Sequence, residues 1–330
     1  MCLLLFHAVT SFAMTTSSYQ APFLYRNAHI HTILPNLIRK VANVSYRRER
    51  IATPDDDFLD LDWSEVGGET VAVIAHGLEG NSKRSYVLGM GCTLNAAGIS
   101  AVAWNFRGCS GAANRQLRLY HNGAIDDVHT VVAHAARRYP RVVLVGFSMG
   151  GNMNLLYLGK QASALPEQVA GCAVFSVPCD LTDAAIELER RANTIYMKRF
   201  LKLLHEKVRM KQVQFPQAID DRDYRAIKNF KQFDDRYTAP LHGFAGAEDY
   251  WEKCSCRPWL SEIGVPTLIV NAADDPFLGG GCYPVAECAA NPQIALEIPR
   301  HGGHVGFVHD RVNGRYWSEE RTVEFIRGLE

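Results

Sequence analysis

Gly146-Phe147-Ser148-Met149-Gly150 places a serine in a G-x-S-x-G pentapeptide. The apolar run Arg141–Val145 precedes it, and Asn152-Met153-Asn154-Leu155-Leu156 follows. A serine on so tight a strand-to-helix turn projects its hydroxyl out of a strained backbone. The residues two before and two after must approach closely, which is why glycine suits both positions. The pentapeptide also occurs as a turn that merely packs tightly, so its partners decide its meaning. A serine hydroxyl needs a base to become a nucleophile. The chain has twelve histidines, and the order Ser, acid, His on such a sheet selects those near its end. Pro266–Val270 reads as a strand that runs into Asp274-Asp275-Pro276-Phe277, and Ile294–Ile298 as another that leads to His301-Gly302-Gly303-His304. Both groups follow the carboxyl end of a strand, on the rim that Ser148 occupies. Asp275 is the preferred acid, with Asp274 as its rival and as a ligand for the loop backbone. His304 is preferred to His301 because flanking glycines let the loop carry the ring to Ser148. The oxyanion then needs two donors. The Met149 amide follows the nucleophile, and the Leu78 amide lies in His76-Gly77-Leu78-Glu79-Gly80. His76 itself reads as a residue that holds this loop.

The elements that must position these groups are legible as an alternation. Val71–Ala75, Ala101–Trp104, Val142–Val145, Ala173–Phe175, Thr267–Val270 and Ile294–Ile298 are short apolar runs. Several are continuous, as strands buried on both faces are. Helical patterns over Tyr86–Ala97, Ala124–Arg138, Gly150–Gln161 and Pro284–Ala290 lie between them. Pro284 suits the first helical position. Asn43–Arg50 and Phe58–Trp63 read as an antiparallel lead-in, joined by the turn Thr53–Asp57. This is the α/β class, a predominantly parallel twisted sheet flanked by helices. More than eighty residues then pass without a strand, too many for a plain crossover. They hold helical patterns at Leu181–Ala192 and Ile195–Val213. The expected division is an extension over 1–20, core over 21–178, a helical cap over 179–263, and core again over 264–330.

From about Ala21 onward the chain resembles the YheT-like branch of the α/β-hydrolase superfamily, also called AB-hydrolase family four. The resemblance rests on Asn27–Ile33, Asp57–Trp63, His76–Gly80, Asn105–Gly111, Gly146–Asn152, Tyr237–Phe244, Asp249–Trp251, Asp274–Phe277 and Gly302–Phe307. It implies a serine hydrolase acting on carboxylic esters, with Ser148, Asp275 and His304 as charge-relay residues. Relatives in this branch include esterases, phospholipases and alcohol acyltransferases, so chemistry is implied more narrowly than substrate. The residues before about Met14 depart from the family pattern.

Composition bounds the alternatives. Among 330 residues, 47% are hydrophobic and 21% charged, ample for a core and unlike a disordered chain. Lys+Arg and Asp+Glu are both 35, without the basic excess of a nucleic-acid binder. No apolar run reaches the length of a membrane span. Nine cysteines without framework spacing read as reduced and structural, and the location expected is cytoplasmic. Leu3–Val9 imitates a signal-peptide core but lacks a preceding Lys or Arg, and Met14 offers an alternative start.

His29 and His31 would share one side of a strand as a metal clip, but no third ligand is near. Neither metal nor cofactor is expected. Arg107 reads as an anchor for the loop after Asn105. His121 with Asp126 and Asp127 reads as a helix start, not a metal set. Met197–Arg209 is a basic amphipathic helix, read as a cap helix with membrane-surface contact as the alternative. The expected reaction is hydrolysis of a short- or medium-chain acyl ester or a lipid ester through an acyl-enzyme. Acyl transfer to an alcohol, amide cleavage, and a non-catalytic binding protein on the same scaffold are the rivals.

Overall fold

The apolar runs assemble into one eight-stranded sheet in a computed structural model that describes residues 17–41 and 44–329. Helix α1 (Ala28–Ile38) precedes β1 (Arg47–Ala52) and β2 (Phe58–Ser64). Then β3 (Thr70–Ala75), α2 (Ser85–Ala96), β4 (Ser100–Asn105), α3 (Ile125–Ala136), β5 (Arg141–Phe147), α4 (Met149–Lys160) and β6 (Val169–Phe175) alternate. Helices α5 (Leu181–Glu189), α6 (Thr194–Gln214), α7 (Phe230–Phe233), α8 (Ala239–His242) and α9 (Ala247–Cys254) follow before β7 (Thr267–Val270). The chain closes with α10 (Val285–Ala290), β8 (Ile294–Glu297) and α11 (Trp317–Arg327). Strand order is β1-β2-β4-β3-β5-β6-β7-β8. β2 runs antiparallel to both neighbours, and β4 through β8 in that order are parallel.

The continuous apolar runs follow from helices on both sheet faces. Val71 and Val73 of β3 pack into one core with Leu155 of α4, while Ala72 and Ile74 pack into the other with Met90 of α2. The alternation in β2 has a different cause. Its carboxylates are buried rather than wet: Asp60 and Asp62 lie under Arg50 and Arg48 of β1, with shortest contacts of 2.7 Å in each pair. A buried carboxylate is tolerable when it is paired and hydrogen-bonded in this way. The loop anchor Arg107 is fully buried and spans Asp127 of α3 at 2.7 Å and Asp57 of the β1–β2 turn at 2.9 Å.

Some boundaries differ from those expected. Pro284 caps α10 rather than occupying its first turn. Within the expected 1–20 extension, one described residue packs on the core. Tyr19 is buried against His31, Phe307 and Trp317, and its hydroxyl donates to the Val308 carbonyl at 2.7 Å. Residues 1–13 and Asn43, for which the sequence raised expectations, lie outside the described residues. In α6 the buried positions Met197, Leu201, Leu204 and Val208 recur at helical spacing, which places Lys198, Lys202 and Arg209 in solvent. Lys211 departs from that pattern. It is buried, and its ammonium donates to the Asn114 carbonyl at 2.8 Å, tying the end of α6 to the core.

Candidate active site

Ser148 stands between β5 and α4 with φ 52° and ψ −121°, a region that L-residues rarely adopt. Packing imposes this conformation. A Cβ on Gly146 would lie 2.7 Å from the Gly151 Cα. A Cβ on Gly150 would lie 2.5 Å from the His76 carbonyl oxygen. The two glycines therefore relieve different clashes: Gly146 admits the first turn of α4, and Gly150 admits the end of β3. The Ser148 amide donates to the Phe175 carbonyl at 2.9 Å, which fastens the turn to β6.

The oxyanion candidates follow from donor accounting. In the loop after β3, the Gly77 amide donates to the Tyr86 hydroxyl at 3.0 Å. The Glu79 amide donates to the Tyr120 hydroxyl at 3.1 Å, and the Gly80 amide to the Gly77 carbonyl at 2.9 Å. The Leu78 amide has no acceptor among the described residues. The Met149 amide opens α4 and likewise lacks an intrahelical acceptor. His76 is fully buried. Its Nε2 accepts from the Phe106 amide at 3.2 Å, so Nδ1 carries the proton and donates to the Gly77 carbonyl at 2.8 Å. Burial pushes this ring down to about 3, so it stays neutral and holds the loop.

His304 and Asp275 meet. The ring Nδ1 lies 2.9 and 3.0 Å from the two carboxylate oxygens. The carboxylate is buried, and Oδ1 also accepts from the Phe277 amide at 2.9 Å. Phe277 stacks on the imidazole at 4.0 Å between centroids. Asp274 engages the loop instead: it accepts from the Gly303 amide at 2.9 Å and lies 3.1 Å from His301 Nδ1. Ser148, His304, Leu78 and Met149 line a common cavity of about 130 Å3, roofed by α5, α6 and the helices after them. A second cavity of about 370 Å3 also opens on Ser148, Leu78 and His304, with Arg84, Glu79 and Tyr196 in its wall. Among the described residues the Ser148 hydroxyl makes no hydrogen bond, and the ring of His304 lies across the same cavity. Such bonds are often long in unliganded enzymes and tighten when substrate binds.

The HxH pair lies on α1, not on a strand, and its two rings diverge. His29 Nδ1 reaches the Tyr196 hydroxyl at 2.9 Å. His31 is fully buried, and its Nε2 accepts from the Val308 amide at 3.1 Å. Burial lowers its pKa to about 4. Cys109 is buried, and burial pushes its thiol up to about 12, so it is no nucleophile. The sequence reading did not single out Thr32 and Ser176, whose hydroxyls accept from the His304 and Val305 amides, each at 2.9 Å. Thr32 lies in the string Asn27–Ile33, which carried the resemblance without a role. Nor did it place His121, Asp234 and Tyr250 in the cavity wall.

A parallel sheet bearing a serine elbow, with a His–Asp pair on the same rim, defines a class of protein. The family described as alpha/beta hydrolase fold matches residues 71–310, and the chain belongs to that family. Within it, the chain falls in the YheT-like branch. It is 33% identical over 311 residues to YheT of Escherichia coli (strain K12), covering 92% of this chain and 91% of that protein. It is 32% identical over 289 residues to Phospholipase ABHD3 of Mus musculus, covering 84% of this chain and 70% of that one. Among solved structures, the Pyrococcus furiosus esterase PF2001 matches with a TM-score of 0.60, covering 89% of this chain and 97% of that one. At 16% identity that likeness bears on the fold alone.

Proposed function

We propose that the chain is a serine hydrolase that cleaves carboxylic esters through an acyl-enzyme. The observation that carries this is Ser148, held at φ 52° and facing a cavity that it shares with His304, whose ring pairs with Asp275 at 2.9 Å. Ser148 Oγ attacks the ester carbonyl while His304 Nε2 takes its proton. Asp275 fixes the ring with Nδ1 protonated and stabilises the imidazolium that forms. The Leu78 and Met149 amides receive the oxyanion. The imidazolium then protonates the departing alkoxide, and water attacks the acyl-serine with His304 as base. The smaller, mostly apolar cavity takes the acyl chain, and the larger one, with Arg84 in its wall, takes the alcohol.

The ester and lipid chemistry in the relatives' names agrees with this assignment. No helix among the described residues is long and apolar enough to cross a membrane. The substrates that fit this reading are small or lipid esters. Stopped-flow hydrolysis of p-nitrophenyl butanoate tests the reaction. A burst of nitrophenolate matching the enzyme concentration, or steady turnover lost in Ser148→Ala, is expected. Turnover equal in wild type and Ser148→Ala would refute it.

A further inference from the structure

The acyl cavity contains polar groups that the proposed mechanism does not use. His121, His242, Asp234 and Tyr250 all line it, and among the described residues none of them hydrogen-bonds to Ser148, Asp275 or His304. They form one patch. The rings of His121 and His242 lie 4.3 Å apart, those of His121 and Tyr250 6.0 Å apart, and Asp234 accepts from the Trp251 indole at 2.8 Å.

Two members of the patch have donors to spare. His242 has no N–H left over, since backbone carbonyls of Thr238 and Leu119 lie 2.7 and 2.9 Å from its two nitrogens and whichever nitrogen carries the proton donates to one of them. His121 differs. Its Nδ1 accepts from the Gly123 amide at 3.1 Å, and burial keeps the ring neutral, so its proton sits on Nε2. That N–H has no acceptor among the described residues. Tyr250 Oη accepts twice, from the Asn122 amide and from its side-chain Nδ2, each at 3.1 Å. Burial keeps this phenol protonated, and its own proton also lacks an acceptor among the described residues. His121 is 8% exposed and Tyr250 5%, so whatever meets these donors does so inside the cavity that both residues line. Buried donors are normally satisfied, and both of these line the one cavity with their rings 6.0 Å apart.

We propose that His121 Nε2–H and Tyr250 Oη–H form a subsite for a neutral oxygen acceptor, a keto or ether oxygen, carried on the acyl part of the substrate. The subsite rests on the assignment of this cavity to the acyl chain. A neutral acceptor suits the pair because both donors are themselves uncharged. A site built to hydrogen-bond a substrate group discriminates against the analogue that lacks it, because the site's own donors are then left unpaired.

The test compares p-nitrophenyl 4-oxohexanoate with p-nitrophenyl hexanoate, each kcat/KM divided by its uncatalysed rate. The oxo ester should be favoured by about 10- to 100-fold, and Tyr250→Phe and His121→Phe should each bring that ratio down toward one. Taking a ratio within one variant removes differences in the folded fraction. A wild-type ratio near one, or a ratio unchanged in both variants, overturns the subsite. If neither ester is hydrolysed, the ester reading fails by itself. The subsite is then decided by calorimetric titration of wild type with 4-oxohexanamide and hexanamide. At least tenfold tighter binding of the oxo amide sustains it, and equal binding overturns it.

Discussion

The His304 amide donates to the Thr32 hydroxyl at 2.9 Å, a bond between α1 and a loop 272 residues further along the chain. It belongs to a brace. A Cβ on Gly303 would lie 2.9 Å from the Ala28 carbonyl oxygen, and one on Gly306 2.4 Å from the His31 ring. The loop has positive φ at Val305, between these glycines, and at Phe307, just after them, so contacts from outside hold a conformation it would not adopt alone. The N-terminal string that carries the family resemblance thus has a physical task, bracing the loop that bears His304.

Thr32→Val keeps the shape and removes the hydroxyl. kcat should fall by about 5- to 30-fold, because the change loosens ring placement, and KM is followed alongside it since Thr32 also lines the larger cavity. Thr32→Ser should restore most of the rate. Equal kcat in Thr32→Val and wild type would show that the brace is idle.

The paired aspartates should differ sharply. Asp275→Asn should cost about 10⁴-fold in kcat, since the amide favours the wrong imidazole tautomer. Among the described residues Asp274 bonds His301 and the Gly303 amide, neither a charge-relay group, so Asp274→Asn should cost less than about tenfold. Steady-state kinetics on one ester, with circular dichroism to check folding, separates the two.

Most of the fold was readable because strands buried on both faces leave continuous apolar runs, and Thr267–Val270 matches its strand to the residue. The elbow was readable because glycine is the residue that its clashes demand. Thr32 and Ser176 were not, since a hydroxyl that accepts one backbone amide has no periodicity and no fixed spacing. His121 was set aside as the approach to a helix because its neighbours Tyr250 and His242 come from the distant cap. The HxH string misled in another way: two alternating histidines look alike on a strand or a helix, and only the Asn27 side chain, accepting from the His29 and Ile30 amides, starts the helix.

Asp234 gives a pH signature. Burial raises its pKa from 3.8 to about 7, against the opposing hydrogen bonds from Thr238 and Trp251. Between about pH 4 and 7 the folded state therefore holds a proton that the unfolded state has released, and this contribution to stability is lost as pH rises through about 7. Each pKa unit corresponds to about 1.4 kcal/mol, so the effect reaches a few kcal/mol at most. Urea midpoints across this range should fall with pH more steeply in wild type than in Asp234→Asn. Parallel curves would assign the slope to other groups.

Acyl length should be bounded by the smaller cavity. At about 130 Å3 it is slightly below a cavity of about 150 Å3 that holds benzene. Among unsubstituted p-nitrophenyl esters, kcat/KM should peak near butanoate to hexanoate and fall at least tenfold by dodecanoate. A peak at dodecanoate or beyond would assign the acyl chain to the larger cavity.

The most direct measurement is the intact mass of the protein after exposure to a fluorophosphonate. The account predicts one adduct per chain, mapped by peptide sequencing to Ser148, absent in Ser148→Ala and strongly slowed in His304→Ala. An adduct on another residue, or undiminished labelling of Ser148→Ala, would contradict it.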